Sequence, residues 1–312
     1  GKTAEERQPL VSQISSLGDV YVNDAFAAFH REHASMMVAS EGAVEDAAVG
    51  LLVEEEINNL STAFNPEHPF VAIIGGAKIS GKEGKLPVIK NLLSTMQAGD
   101  SLVFSGLLAY TMAAANYERK GTAINFGNTK VFEEEIPAAI DILNLLDERG
   151  INYYYPVDHI ATGDSELGPN AKNNVKYIRT TGVDKGFAAV DIGPVTVQRY
   201  CELLSESKTI LWNGPFGVFE KEKGHFFEGS LAVSHFLREL EKAGVSVIIG
   251  GGETVKADKQ VQKQKSIYTS MLEDDPKLQD TVDRVRGMEQ KAGHVFRSTA
   301  GGASGEFIST KG

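Results

Sequence analysis

The chain has 312 residues, 42% of them hydrophobic, and a formal net charge of −11. That length and apolar content support one large α/β domain or two smaller ones and exclude a disordered chain. The acidic balance argues against nucleic acid as a main partner, although local lysines and backbone N–H groups still suit a small anion. The single cysteine, Cys201, excludes an intrachain disulfide and fits a reducing compartment, so a cytoplasmic protein is expected, and a monomer is the expected state. No apolar run reaches membrane-span length and no signal peptide is visible, so no membrane partner is expected either.

The chain starts at Gly1, inside what reads as a helix, which leads us to expect part of a longer gene product. Residues 1–50 form a short N-terminal piece. Leu51–Phe64 (LLVEEEINNLSTAF) reads as an amphipathic helix that ends before the Pro66–Pro69 turn and marks a boundary. Strand-like and helical runs then alternate. Phe70–Ile74 is followed by helix Pro87–Met96, and Leu102–Phe104 by helices Leu107–Tyr117 and Lys130–Glu148. Strands Asn152–Tyr155 and Ala188–Asp191 precede helix Val195–Glu206, and Ile210–Trp212 and Val245–Ile249 flank helix Ser230–Ala243. Six strands alternating with five helices predict an α/β fold: a doubly wound six-stranded parallel sheet with helices on both faces. Lys256–Lys291 is charged and glutamine-rich and reads as a solvated, helical or mobile insertion.

The chemistry gathers at strand ends, where open α/β sheets bind ligands. Thr209–Glu220 (TILWNGPFGVFE) holds the only tryptophan, Trp212, and reads as a buried strand ending in a tight turn with the Asn213 amide exposed at its tip. After the first strand comes Gly75-Gly76-Ala77-Lys78-Ile79-Ser80-Gly81-Lys82, with glycines for close backbone approach and lysines as point charges for phosphate. From Gly76 to Lys82 it nearly matches a P-loop, but Glu83 stands where Ser or Thr should hold magnesium. With Asp191 ending a strand, a P-loop GTPase or ATPase is a further reading, which Glu83 and the NGP turn oppose. Gly250-Gly251-Gly252-Glu253-Thr254 suits a helix N-terminus on phosphate with Glu253 facing a metal, or an ordinary turn with Glu253 on the helix dipole. Ser298-Thr299-Ala300-Gly301-Gly302-Ala303-Ser304 offers another run of free N–H groups. Together these turns point to a phosphate-rich ligand, most simply a nucleoside triphosphate with Mg²⁺. In the N-terminal piece, His30-Arg31-Glu32-His33 lacks further metal ligands nearby and suits a small anionic substrate, with Arg31 able to bind carboxylate or phosphate bidentately.

The series SLGDVYVNDAF, HREHAS, PFVAIIGGAK, YPVDHIATGD, VDIGP, TILWNGPFGVFE, IIGGGET and STAGGAS, in this order, resembles phosphoglycerate kinase from about Leu17 to Phe307. The resemblance implies two lobes, one for phosphoglycerate and one for nucleotide, and reversible Mg²⁺-dependent phosphoryl transfer between 1,3-bisphosphoglycerate and ADP. It divides the chain into a substrate-lobe remnant (1–50), an interdomain helix (51–65) and a nucleotide-binding lobe (66–312) with the 256–291 insertion. By position, Lys78 resembles the lysine that stabilises the moving phosphoryl group, and Lys82 a lysine on the nucleotide or substrate phosphates. Asn213, Gly251, Gly252 and Thr254 resemble nucleotide-phosphate residues, and Glu220 the acid on the ribose. Glu253 stands where the metal-binding Asp is usual. Gly106 and Ala189 fall at the base site, Gly252 and Gly301 at catalytic turns, and His30 and Arg31 at the substrate anion.

Several residues depart from that pattern. Glu253 is one methylene longer than Asp, Leu107 narrows the base-side loop, Ala189 replaces a glycine, and Ala300 replaces the first glycine of its turn. The resemblance also implies over a hundred further N-terminal residues and a C-terminal tail. On that basis the 312 residues alone are expected to be inactive. The alternative reading is a non-catalytic nucleotide-binding or interaction protein derived from the kinase.

Overall fold

The computed structural model describes residues 3–29, 31–77, 79–81, 84–164, 167–168, 174–219, 226–260, 266–268 and 295–298. The N-terminal piece opens with α1 (Ala4–Ser15), begun by a capping box in which Thr3 and Glu6 satisfy each other's backbone N–H groups. Its buried Arg7 holds Glu41, the last residue of the short helix α2 (Val38–Glu41), and Glu32. Strands β1 (Val20–Asn23) and β2 (Asp46–Val49) pair in parallel, and Val20, Val22 and Val49 remain exposed. Helix α3 (Leu51–Ser61) follows and closes in a 3-10 turn, Thr62–Phe64. Asp24 Oδ1 accepts the Val53 N–H (3.0 Å), so a residue just past β1 satisfies the first turn of α3.

The remaining elements are β3 (Phe70–Gly75), α4 (Leu86–Thr95), β4 (Ser101–Ser105), α5 (Gly106–Arg119), α6 (Ile136–Glu148), β5 (Asn152–Tyr154), β6 (His159–Thr162), β7 (Val175–Ile178), β8 (Ala188–Ile192), α7 (Pro194–Ser205), β9 (Thr209–Asn213), α8 (Glu228–Lys242), β10 (Ser246–Gly250), α9 (Gly252–Gln260) and β11 (Val295–Arg297). Six strands form an all-parallel sheet in the order β11-β10-β9-β3-β4-β5. The chain winds outward from β3 to β5, returns beside β3 as β9, and winds the other way to β11. The reversal lies between β3 and β9, so a crevice opens past their carboxyl ends.

Alternation of side chains across the strands builds two cores. Phe70, Ala72, Ile74, Leu102, Phe104, Leu211 and Ile248 face α3, α4, α5 and α6. Val71, Ile73, Val103, Ile210, Trp212, Val247 and Ile249 face α7 and α8. Burial on both faces is why these strands read as unbroken apolar runs. Trp212 is fully buried, stacks on Phe216, and donates its indole N–H to the Gly214 carbonyl (2.8 Å). Cys201 is a buried free thiol.

The membership of the sheet differs from expectation. The Ala188–Asp191 run is β8, which pairs antiparallel with β6 in a separate sheet of order β7-β6-β8. Its first two residues are only half-buried, as suits an antiparallel sheet with one face open. The sixth parallel place belongs to β11, three residues that follow the charged stretch. Helix α6 starts at Ile136, later than expected, because Pro137 fits the first turn of a helix and Glu133–Glu135 forms a 3-10 turn before it. The charged stretch also begins as structure: Ala257 and Asp258 of α9 are buried. Beyond Gln260 only 266–268 of that stretch are described. No described helix is long and apolar enough to cross a membrane.

Candidate functional site

The strand tips on either side of the reversal are flush. Ile74 pairs with Asn213, Gly75 with Ser105, and Gly250 with Asn213. They also touch backbone to backbone. A Cβ on Gly214 would lie 2.4 Å from the Gly75 Cα, and one on Gly75 would lie 2.9 Å from the Gly214 Cα. Gly106, at φ +61°, starts α5 against Gly76, whose carbonyl accepts the Leu108 N–H (2.9 Å). Only glycine permits this approach, and it walls the crevice at the reversal with bare backbone.

Polar groups line its far side. Gly214 donates its N–H to Thr254 Oγ1 (2.8 Å), which brings the start of α9 against the turn after β9. Gly251, at φ +94°, turns the chain into α9. The N–H groups of the first turn of α9, which have no partner within the helix, give this end a partial positive charge. Asn213 is 4% exposed, and among the described residues its buried Nδ2 has no hydrogen-bond partner. The expectation of an exposed Asn213 amide is therefore corrected: the side chain is buried, with its Oδ1 3.6 Å from where a Gly251 Cβ would lie. A buried amide donor without an acceptor is costly, and an anion in the crevice would satisfy it.

A lysine that the motif reading passed over stands at this crevice. Lys85 caps α4, and its aliphatic stem runs along Gly76, with Cε 3.0 Å and Cγ 3.4 Å from where a Gly76 Cβ would lie. Withdrawal from water pushes its ammonium pKa down, and no described carboxylate pairs with it. A cation at a helix N-terminus opposes the helix dipole, and that unfavourable placement is the signal by which the sequence could have shown it. The loop that carries Lys85 is held by buried Ile79, whose carbonyl accepts the Leu86 N–H (2.8 Å), and by Ser80, which donates its N–H (2.9 Å) and hydroxyl (2.6 Å) to Glu135. Glu135 was likewise unread.

The other expected residues divide. Gly106, Asn213, Gly251, Gly252 and Thr254 converge at the crevice. Glu253 is the second residue of α9. Ala189 lies apart on β8, where its N–H donates to Thr129 Oγ1 (2.8 Å), and it packs with Leu107 against the cluster of Tyr110, Phe126 and Ala161. Arg31 is exposed on the N-terminal piece. Lys78, Lys82, Glu220, Gly301 and His30 lie outside the described residues. A separate open groove of about 730 Å³ runs beside Thr129, Val131 and Phe126. Among the described residues it carries Glu118 and Glu133 and no cation, which makes it a poor phosphate site.

Fold and crevice define a class: a doubly wound α/β protein with a glycine-walled, helix-capped crevice at its topological reversal. The sequence model of phosphoglycerate kinase matches residues 2–311, and the chain belongs to the phosphoglycerate kinase family. It is 40% identical over 248 residues to phosphoglycerate kinase of Limosilactobacillus fermentum, covering 79% of this chain and 56% of that protein. It is 37% identical over 302 residues to the enzyme of Moorella thermoacetica, covering 96% of this chain and 64% of that protein. The structure of phosphoglycerate kinase from Coxiella burnetii superposes with a TM-score of 0.70 at 28% identity, covering 100% of this chain and 68% of that one. The chain thus spans between 56% and 64% of the length of these curated relatives.

Proposed function

We propose that the crevice binds the phosphates of ADP or ATP and that residues 66–312 are the nucleotide-binding unit of a phosphoglycerate kinase. In the whole protein the β-phosphate oxygen of ADP attacks the acyl phosphate of 1,3-bisphosphoglycerate, the bond to the carboxyl oxygen breaks, and 3-phosphoglycerate and ATP result. The observation that carries this reading is the buried Asn213 Nδ2, without a partner among the described residues, beside the N-terminus of α9 at the sheet reversal. Phosphoryl transfer asks a protein mainly for positioning and charge stabilisation. Backbone glycines supply close approach, Asn213 and the α9 amides donate hydrogen bonds, and Lys85 and Lys78 supply positive charge.

Among the described residues no group of three or more His, Cys, Asp or Glu could hold a metal. Mg²⁺ is read as arriving on the nucleotide, as part of the substrate, with Glu253 the one carboxylate of the turn. Ala189, Leu107 and Gly106 are read as the base side, Glu220 as the ribose partner, and Gly301 as part of a second phosphate turn. His30 and Arg31 are read as contacts to the phosphoglycerate, in a piece whose exposed β1–β2 pair supports its belonging to a larger lobe.

Calorimetric titration of the 312-residue chain with Mg-ADP tests the reading. Heat of binding and a thermal shift are expected, and neither at millimolar nucleotide would refute it. Because the chain spans under two thirds of its curated relatives, phosphoryl transfer by these residues alone is expected near background. Turnover of roughly 1–10³ per second in a coupled assay would overturn that expectation.

A further inference from the structure

Helix α9 presents its first turn to the crevice, yet it has little apolar anchorage. Val255 and Ala257 are its only buried apolar side chains among those described. Polar ties hold it at two heights instead. At the first turn, Thr254 Oγ1 accepts the Gly214 N–H (2.8 Å). Four residues on, and so on the same face, stands Asp258, which is 0% exposed.

Asp258 joins three elements. Its Oδ1 accepts the Ser234 hydroxyl of α8 (2.7 Å). Its Oδ2 accepts Arg238 Nη2 of α8 (2.9 Å) and Arg297 Nε of β11. Arg238 also donates to the Asp258 carbonyl (3.1 Å), and Arg297 Nη2 reaches Glu241 of α8 (3.2 Å). Two guanidinium groups and two carboxylates make a neutral cluster around one fully buried acid. Such an acid tolerates few arrangements, because a buried charge that loses its partners is costly. The grip also extends to the neighbouring strand β10. Ser298, directly after Arg297, donates its N–H to the Ile249 carbonyl of β10 (2.9 Å), and Thr299–Gly302 follow in sequence.

We propose that Asp258 is a positioning residue for phosphate binding: by gripping Arg238 and Arg297 it fixes α9 so that Gly251–Thr254 faces Asn213. This rests on the reading of the crevice as a nucleotide-phosphate site. The Gly214 amide is the natural reporter, since it bonds to α9 at the crevice while lying in the turn after β9.

The test compares the parent chain with Asp258→Asn and with the charge-balanced double variant Asp258→Asn/Arg297→Gln. Amide exchange at Gly214 is measured without ligand, and affinities for Mg-ADP and for adenosine by calorimetry. Exchange at Gly214 is expected to rise at least tenfold and ADP affinity to fall at least tenfold, with adenosine affinity within twofold of the parent. If Asp258→Asn does not melt cooperatively, the double variant decides. Unchanged Gly214 exchange, or unchanged ADP affinity, in a folded variant overturns the proposal. An equal loss for ADP and adenosine also overturns it, because that marks general disruption. Faster Gly214 exchange in the variant with no ADP binding by the parent would support the grip and refute the nucleotide reading alone.

Discussion

The Gly214 N–H donates to Thr254 Oγ1 at 2.8 Å, so one hydrogen bond joins the turn after β9 to the first turn of α9. Thr254 is fully buried, which leaves the bond little competition from water. Thr254→Val keeps the shape and removes the acceptor. It is expected to cost about 1 kcal/mol or more of stability, and Thr254→Ser much less. Urea unfolding of both variants checks this, and equal losses would disprove the role of the hydroxyl.

Asn213 makes the second prediction. If its free Nδ2 donates to phosphate, Asn213→Ala loses a hydrogen bond to a charged group, about 1.5–3 kcal/mol or roughly 10- to 150-fold in ADP affinity. Asn213→Asp should bind more weakly still, since it sets a carboxylate against an anion. Titration calorimetry measures both, and an Asp variant that binds as well as the parent would contradict the assignment.

The glycine contacts give a pair with opposite outcomes. Gly214→Ala places a Cβ 2.4 Å from the Gly75 backbone at φ +118°, and the sheet must part to admit it. Loss of the cooperative fold, or of several kcal/mol, is expected. Gly81→Ala, at φ +85° with nothing within 4 Å, bears only the backbone strain, about 1–2 kcal/mol. Thermal melts distinguish the two.

Lys85→Met keeps the aliphatic stem over Gly76 and removes the charge. ADP affinity should fall with little change in melting temperature, and the salt dependence of binding should flatten. A variant with undiminished ADP affinity would exclude Lys85 from the phosphate site.

Asp191 sets a pH dependence. Burial pushes its carboxyl up to about 7, against hydrogen bonds from the Gly229 and Ile192 N–H groups that favour the ionised form. The folded-state value lies above the unfolded one, so its contribution is fully present below about pH 4 and is lost as pH rises through 7. The stability of the parent minus that of Asp191→Asn should therefore decline by a few kcal/mol between pH 4 and pH 8. A difference that rises or stays flat in denaturant titrations would refute the sign.

The parallel core was legible because β3, β4, β9 and β10 are buried on both faces, and double burial writes itself as unbroken apolar runs such as FVAIIG and TILW. The small sheet was not legible. HIAT and VKYI are short and mix polar with apolar residues, and β8 resembles a parallel strand until its partner is known. Strand β11 is three residues beside charged sequence and is placed by pairing with β10 alone. At the site, the glycines and Thr254 were readable from local pattern. Lys85 was hidden because the motif ended at Lys82, and Asp258 because an acid among charged neighbours reads as solvated. Its burial depends on Arg297, thirty-nine positions away.

The only indole of the chain belongs to Trp212, whose N–H is bound to the Gly214 carbonyl and whose next neighbour in sequence is Asn213. These 312 residues therefore contain an intrinsic optical probe one residue from the crevice, with no second emitter of its kind among them to blur the signal. Ultraviolet excitation of unlabelled material should register both the arrival of a ligand at that turn, as an altered emission, and the opening of the core, as a shift to the red.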